Sequence, residues 1–526
     1  MSDVAVKRGS GLSGVAALNA TAGVIARVSI MMVGIGLTPF VLRRLGRDLY
    51  GVSAAAGAVL EYLWLLRGGL GGAMRRYVTV TFHAGDRELA GRYYAAGFWW
   101  AAVLRAVVVL IGIGLARALC TFMRVPPSLV TDATGGLMLL FIASAINDTS
   151  VILEVPTYAA GQTAALSAVR TGGALLRVLL VVPAFLVLVP TLTLYGGVIV
   201  AGEVVVAVAI AIVGSRSRVV GAVVPRPAFG APDLRRTLFR FGGLALVSQA
   251  AVILYLATDN LLIGRIYGAA RVTEYSLGTR WAPMISGFLW AGVSALTPLL
   301  TQLEARGEVD RTRRVVLRTA AINSALGVPL CLVPCVIGDV FLERWVGPEY
   351  RHCAAYMIAM LVPTLISAAL EPVWMAMMAR GRIGWIALGD ILVAVANPIL
   401  SLVLALQFHL GLLGFALGNT VALLVKNLLL RPLFNRGEEG LPSLWRMMLT
   451  LPVALAGGAP ALLLLYFLKP WYSHSLATVI AAGLVGGLLC LLGSTLTAVG
   501  WTEVRRLARS LVGRRHAAGP GAGPQG

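Results

Sequence analysis

The stretch LTLYGGVIVAGEVVVAVAIAIVG, Leu192–Gly214, contains a single charged residue, Glu203. A helix rises about 1.5 Å per residue, so some 20 apolar residues cross a hydrocarbon core about 30 Å thick. About fourteen stretches of this kind follow one another along the chain, with only short connectors between them. Hydrophobic residues make up 58% of the 526 and charged residues 13%, which leaves no room for a soluble catalytic module. The chain is therefore expected to be an all-α polytopic membrane protein of about 14 transmembrane helices. The first apolar run starts near residue 12 and continues past residue 40, too long for a signal-peptide core, so it reads as a retained first helix.

The formal charge of +21 invites a nucleic-acid partner, and its distribution argues against one. Basic residues gather in alternate connectors. One side holds Arg75, Arg76, Arg87 and Arg92, the run from Arg216 to Arg240, the cluster Arg306, Arg311, Arg313, Arg314 and Arg318, and the tail from Arg505 to Arg515. Positive residues stay cytoplasmic, which places both termini inside and assigns these arginines to topology and anionic headgroups. Arg43, Arg44 and Arg47 fall on the opposite side, against the trend. The five cysteines, Cys120, Cys331, Cys335, Cys353 and Cys490, form neither a disulfide framework nor a zinc pattern. No metal, cofactor or catalytic residue is expected.

Shifting the chain by about 222 residues superposes landmarks that are not apolar. Arg43 falls on Arg265, Gly46 on Gly268, Gly85 on Gly307 and Arg92 on Arg314, and the acids Asp86 and Glu88 fall on Glu308 and Asp310. At a slightly different offset, Glu154 and Gly161 match Glu371 and Gly381. Each copy holds an even number of helices, so both have the same orientation. The expected layout is two parallel six-helix lobes plus two appended helices: an N-lobe over 1–214, a basic cytoplasmic linker over 215–240 containing Pro225, Pro227 and Pro232, a C-lobe over 241–435, helices 13 and 14 over 436–503, and a basic, disordered tail over 504–526.

Two stretches carry a family resemblance. Asp259-Asn-Leu-Leu-Ile, followed by Gly268, Val272, Tyr275 and Arg280, resembles the helix 7–8 pattern of the polysaccharide-exporter branch of the MOP flippase superfamily. Pro39 to Gly51, with Leu-Arg-Arg-Leu-Gly and Tyr50-Gly51, resembles that branch's helix 1–2 turn, where arginine is tolerated. The resemblance covers roughly residues 15–435. It implies export of a polyprenyl-diphosphate-linked oligosaccharide from the cytoplasmic to the outer leaflet of a bacterial inner membrane, for cell-surface polysaccharide such as the O-antigen of lipopolysaccharide. A polysaccharide polymerase or glycosyltransferases would be its partners, alongside membrane lipids. The diphosphate and sugars cannot cross hydrocarbon, whereas the tail remains in it, so such a protein needs a polar, cationic cavity between its lobes and alternating access.

Arg27, Arg67, Arg105, Arg170, Arg177, Arg280 and Lys426 lie in apolar segments, with the acids Glu61, Asp148, Glu154, Glu203, Asp259, Glu371 and Asp390 within or near others. Each buried cation costs about 2.5–3.5 kcal/mol on insertion scales, so each must face protein, water or a ligand. Arg27 has Ala20, Gly23 and Gly34 near its face, leaving room for a headgroup. In the related lipid II flippases, arginines on helices 1, 2 and 8 line the cavity, and Arg27, Arg67 and Arg280 fall on those helices. Arg170 and Arg177 share a helix face about 10 Å apart and form a candidate basic track, with Asn147, Asp148 and Glu154 as pairing partners or sugar-binding groups. Asp259 and Arg280 read first as a structural ion pair. Glu61, Asp148 and Lys426 are candidates for gating or coupling. Gly68-Gly69-Leu-Gly71-Gly72, Gly414 and Gly418 read as close-packing positions, not phosphate loops.

Three readings compete with export of lipid-linked sugars. A MATE-like drug or cation antiporter would use an acid in helix 1, and residues 15–40 contain none. A glycosyltransferase, polymerase or ligase would need a sizeable outer loop or an acid pair. A lipid II flippase differs only in the glycan, which helix and loop counts do not distinguish.

Overall fold

In the computed structural model, residues 2–65, 70–217, 219–229, 257–294, 296–434 and 440–500 are described, with residues 236, 250 and 254. Arg67, Gly68, Gly69, residues 218, 230–235 and 237–240 of the predicted linker, most of the predicted seventh helix, and the tail lie outside them. The chain divides into two compact units, Met1–Ser276 and Leu277–Gly526.

Unit 1 begins with α1 (Ser2–Trp64), two helices that meet at Gly46, where φ is 77° and ψ 168°. There follow α2 (Leu70–His83), α3 (Arg87–Phe122), α4 (Val130–Leu153), the single turn α5 (Val155–Ala159), α6 (Thr163–Val187) and α7 (Leu192–Arg216). The division between units falls inside α8 (Ala269–Thr279). Unit 2 continues with α9 (Trp281–Ser294), α10 (Thr297–Ala305), α11 (Val309–Trp345), α12 (Ala354–Ala379), α13 (Ile383–Leu402), α14 (Gly411–Val425), α15 (Thr450–Phe467) and α16 (Leu476–Ala498). Among the described residues, 12 spans are long and apolar enough to cross a membrane. The first, Thr21–Leu63, runs through the Gly46 junction and so holds the first two expected crossings.

Backbone groups have no water to bond with in hydrocarbon, so helices are the available element, and small residues let them approach. In unit 1, α4 lies along α3 and α7, and α6 lies along α1 and α7. A Cβ at Gly196 of α7 would come within 2.7 Å of the Leu139 Cβ, and one at Gly136 of α4 within 2.7 Å of the Leu192 carbonyl carbon. In unit 2, α13 lies along α14, and a Cβ at Gly418 would meet the Ser401 backbone at 2.7 Å. Gly414 and Gly418 are therefore close-packing positions, as their spacing suggested. The appended α15 and α16 pack on α11 through Val328, Val333, Ile337, Val340, Ala454, Leu465, Val479 and Cys490.

The repeat read from polar landmarks reappears as matched backbone geometry. Gly46 and Gly268 have φ of 77° and 89°, Gly85 and Gly307 of 89° and 66°, and Gly161 and Gly381 of 73° and 75°. The last two pairs close helices by the same device, in which the residue after the glycine donates to a carbonyl five positions back. The bonds are Asp86 N to Thr81 O and Glu308 N to Leu303 O, both 3.0 Å, then Gln162 N to Thr157 O at 3.1 Å and Arg382 N to Met377 O at 3.0 Å. A left-handed residue is required there, and glycine adopts that conformation without a Cβ clash.

Gly85→Ala and Gly307→Ala should each cost about 1–2 kcal/mol, because alanine carries the left-handed penalty. Gly91→Ala, on open helical surface in α3, should be neutral or stabilising. Thermal unfolding in detergent measures all three. Equal midpoints for the three variants would refute the assignment of strain to these turns.

Candidate functional site

One group of charged residues in unit 1 gathers near the end that carries the 84–86 and 160–162 turns. Asn19 of α1 fixes this end, donating from Nδ2 to the Gly161 carbonyl at 2.7 Å while its Oδ1 accepts from the Ala164 amide at 2.9 Å. The α6 N-terminus, which lacks a side-chain cap of its own, is thus capped from another helix. Both helices run inward from this contact. Arg27 lies eight residues beyond Asn19 and Arg170 six beyond Ala164, so both sit roughly 9–12 Å inside. Arg27 is exposed, and the neighbouring Gly23 and Gly34 face open space.

Arg170 donates to Glu154 at 2.7 Å and to Asn147 Oδ1 at 3.2 Å. Arg75 of α2 reaches the other Glu154 oxygen at 3.5 Å. One carboxylate, 12% exposed, is therefore shared by two guanidiniums, and this triad carries one surplus positive charge. The Arg75 guanidinium also lies over the Tyr158 ring, 5.5 Å from its centre. One face further along α6, Arg177 bonds Glu203 of α7 at 2.8 Å and remains 42% exposed. Glu203 is the lone charge of Leu192–Gly214, and this bond explains its tolerance there. Asp148 is buried on α4. Glu61 is exposed on the second helix of α1, next to Tyr62, whose hydroxyl bonds Thr258. Asp259 is 2% exposed and accepts a hydrogen bond from the Tyr275 hydroxyl at 2.6 Å.

Unit 2 places two cation–carboxylate pairs beside one tryptophan. Lys426 bonds Asp390, and the Arg431 Nη2 lies 3.4 Å from Glu371. Trp374 lies beside both cations, with Lys426 Nζ 5.9 Å and the Arg431 guanidinium 4.6 Å from its ring centre. Arg280 lies over Trp345 at 5.8 Å. Among the described residues no group of three His, Cys, Asp or Glu converges as a metal site.

Sequence reasoning identified Arg170, Arg177 and the acids around them, and missed Asn19, Arg75 as the second partner of Glu154, and Arg431. The repeat held a usable signal. Glu154 and Glu371 align as landmarks, and each is bonded by arginine in its own unit.

A family model described as polysaccharide biosynthesis protein matches residues 92–355. The chain is 23% identical over 423 residues to the uncharacterized membrane protein EpsK of Bacillus subtilis (strain 168), covering 79% of this chain and 82% of that one. Its fold is similar to that of a multidrug resistance MATE family transporter of the MOP superfamily in an inward-facing conformation, with TM-score 0.66 and 15% identity over 78% of this chain and 98% of the other. It is also similar to the lipid II flippase MurJ in an inward closed conformation, with TM-score 0.63 and 12% identity over 91% and 98%.

The shared carboxylate gives a direct test. In a double-mutant cycle of Arg170→Gln and Glu154→Gln, thermal unfolding should return a coupling of about 0.5–3 kcal/mol. Strict additivity would show that the bond contributes nothing to the fold.

Proposed function

The chain belongs to the polysaccharide biosynthesis protein family, the polysaccharide-exporter branch of the MOP flippase superfamily, and on that premise we propose that it translocates polyprenyl-diphosphate-linked oligosaccharide. Movement is from the cytoplasmic to the outer leaflet of a bacterial inner membrane, by alternating access, with both termini cytoplasmic. The glycan serves cell-surface polysaccharide of the O-antigen type, and a polymerase and glycosyltransferases act after and before this step. The chemistry asked of the protein is binding and movement, with no bond made or broken.

One observation supports this reading most strongly: Arg75 and Arg170 share the carboxylate of Glu154 and leave one surplus positive charge, and Arg27 lies at a depth similar to Arg170 by the Asn19 contact. A diphosphate leaving water needs charge-assisted donors to replace its hydration, and guanidiniums offer them in paired geometry. Fixed carboxylates orient Arg170 and Arg177 without cancelling the surplus charge. Arg67 and Arg280 extend the proposed headgroup set. The neutral pairs of unit 2, Lys426 with Asp390 and Arg431 with Glu371, are proposed to serve switching, since exchanging partners moves charge at small cost. For a cation antiporter the same surplus charge is repulsive, and the first helix of α1 supplies no acid through its membrane span.

Binding of a short-chain polyprenyl diphosphate to the purified protein tests this reading. Arg27→Ala and Arg170→Ala should each weaken affinity about tenfold, the equivalent of one charge-assisted hydrogen bond. Affinity should also fall as salt rises. Unchanged affinity in both variants, or preference for an organic cation, would sink the proposal.

A further inference from the structure

A cavity of about 510 Å³ opens in unit 2, where the C-terminal end of α11, the turn over Pro348–Cys353 and the connection between α15 and α16 come together. Its volume lies within the range of small-ligand sites. Glu343, Arg344, Arg351, Lys469, Tyr466 and Phe467 supply its functional groups. Asp339, on α11, bonds Lys469 Nζ at 2.6 Å and Arg351 Nη2 at 3.2 Å, and Arg351 Nη1 reaches Glu343 at 3.1 Å. Two carboxylates thus hold two cations. Arg344 is different: its Nε donates to the Ser473 carbonyl at 2.9 Å, and among the described residues no carboxylate lies within ion-pair distance. The cluster has three cations to two anions, held by a network that fixes where their remaining N–H groups sit. Tyr472, whose hydroxyl donates to the Leu465 carbonyl at 2.8 Å, adds no negative charge, since burial and the Asp339 carboxylate push its pKa up to about 12.

The other wall is apolar and continues down a helix. Tyr466 and Phe467 are 59% and 71% exposed at the end of the Leu444–Phe467 span, and Leu463 and Leu464, one turn below, are 57% and 50% exposed. Aromatic side chains at the end of a span mark the headgroup level of a bilayer, and clustered guanidinium and ammonium groups suit a phosphate. A soluble anion would use the cations alone. A phospholipid uses both walls, the phosphate at the cations and the chains along α15. We propose that this cavity binds the phosphate headgroup of an anionic membrane phospholipid, so that the appended helices form a lipid site separate from the charged group of unit 1.

The test uses the full chain in detergent, with thermal stabilisation titrated by phosphatidylglycerol, phosphatidylcholine or inorganic phosphate. Phosphatidylglycerol should stabilise the wild type at far lower concentration than the other two. Arg344→Gln should weaken that response about tenfold while leaving the lipid-free midpoint unchanged, because its contact with Ser473 is exposed. Ser473→Asp, which places a carboxylate beside Arg344, should do the same and serves if Arg344→Gln fails to fold. Phe467→Ala should weaken the lipid and spare any response to free phosphate. An unchanged phosphatidylglycerol response in both charge variants would overturn the proposal. So would stabilisation by inorganic phosphate as strong as by the lipid, or by phosphatidylcholine as strong as by phosphatidylglycerol.

Discussion

A charge inside hydrocarbon must have a partner, and the described spans are organised around that demand. Glu203 occurs in an otherwise apolar helix because Arg177 meets it. Lys426 is tolerated because Asp390 meets it, and Arg431 because Glu371 and the Trp374 ring do. Pairing is not always one for one: Glu154 serves Arg75 and Arg170 together, and Asp339 serves Lys469 and Arg351. Where the count departs from balance, the surplus has to be met by water or by something that is carried. The fold by itself does not decide function, since it hosts drug transporters and lipid flippases alike.

The class was legible from apolar length, and the repeat from a few polar landmarks. Its glycines proved the most informative residues, since Gly85, Gly307, Gly161 and Gly381 each end a helix by the same left-handed turn. Sequence could find them because glycine at such a turn is dictated locally. The ion pairs were less legible. Arg170 and Glu154 were legible as one of two alternatives, pairing or sugar binding, and the structure shows the pairing. Arg431 and Glu371 were not, being 60 residues apart on helices whose rotation no short-range pattern fixes. Asn19 was invisible for a related reason: its role as a cap for α6 depends on which helix packs beside α1.

The two units handle charge differently while sharing a plan. In each, the helix leading to a left-handed glycine carries a glutamate bonded by arginine. Unit 1 adds further cations at that depth and unit 2 adds a balanced lysine–aspartate pair. A duplicated scaffold can thus keep its packing while its two copies carry different charge. The pair of helices beyond the repeat rests on α11 through an apolar cluster, which leaves their polar ends available for a separate task.

Leaflet-to-leaflet movement tests the central claim most directly. Wild-type protein in liposomes carrying a fluorescent polyprenyl-diphosphate oligosaccharide, with the label quenched only from outside, reports how much substrate becomes accessible on each side. The account predicts that label moves between leaflets in protein-containing vesicles and stays put in empty ones. No movement across several glycans, together with accumulation of an organic cation by the same vesicles, would contradict it.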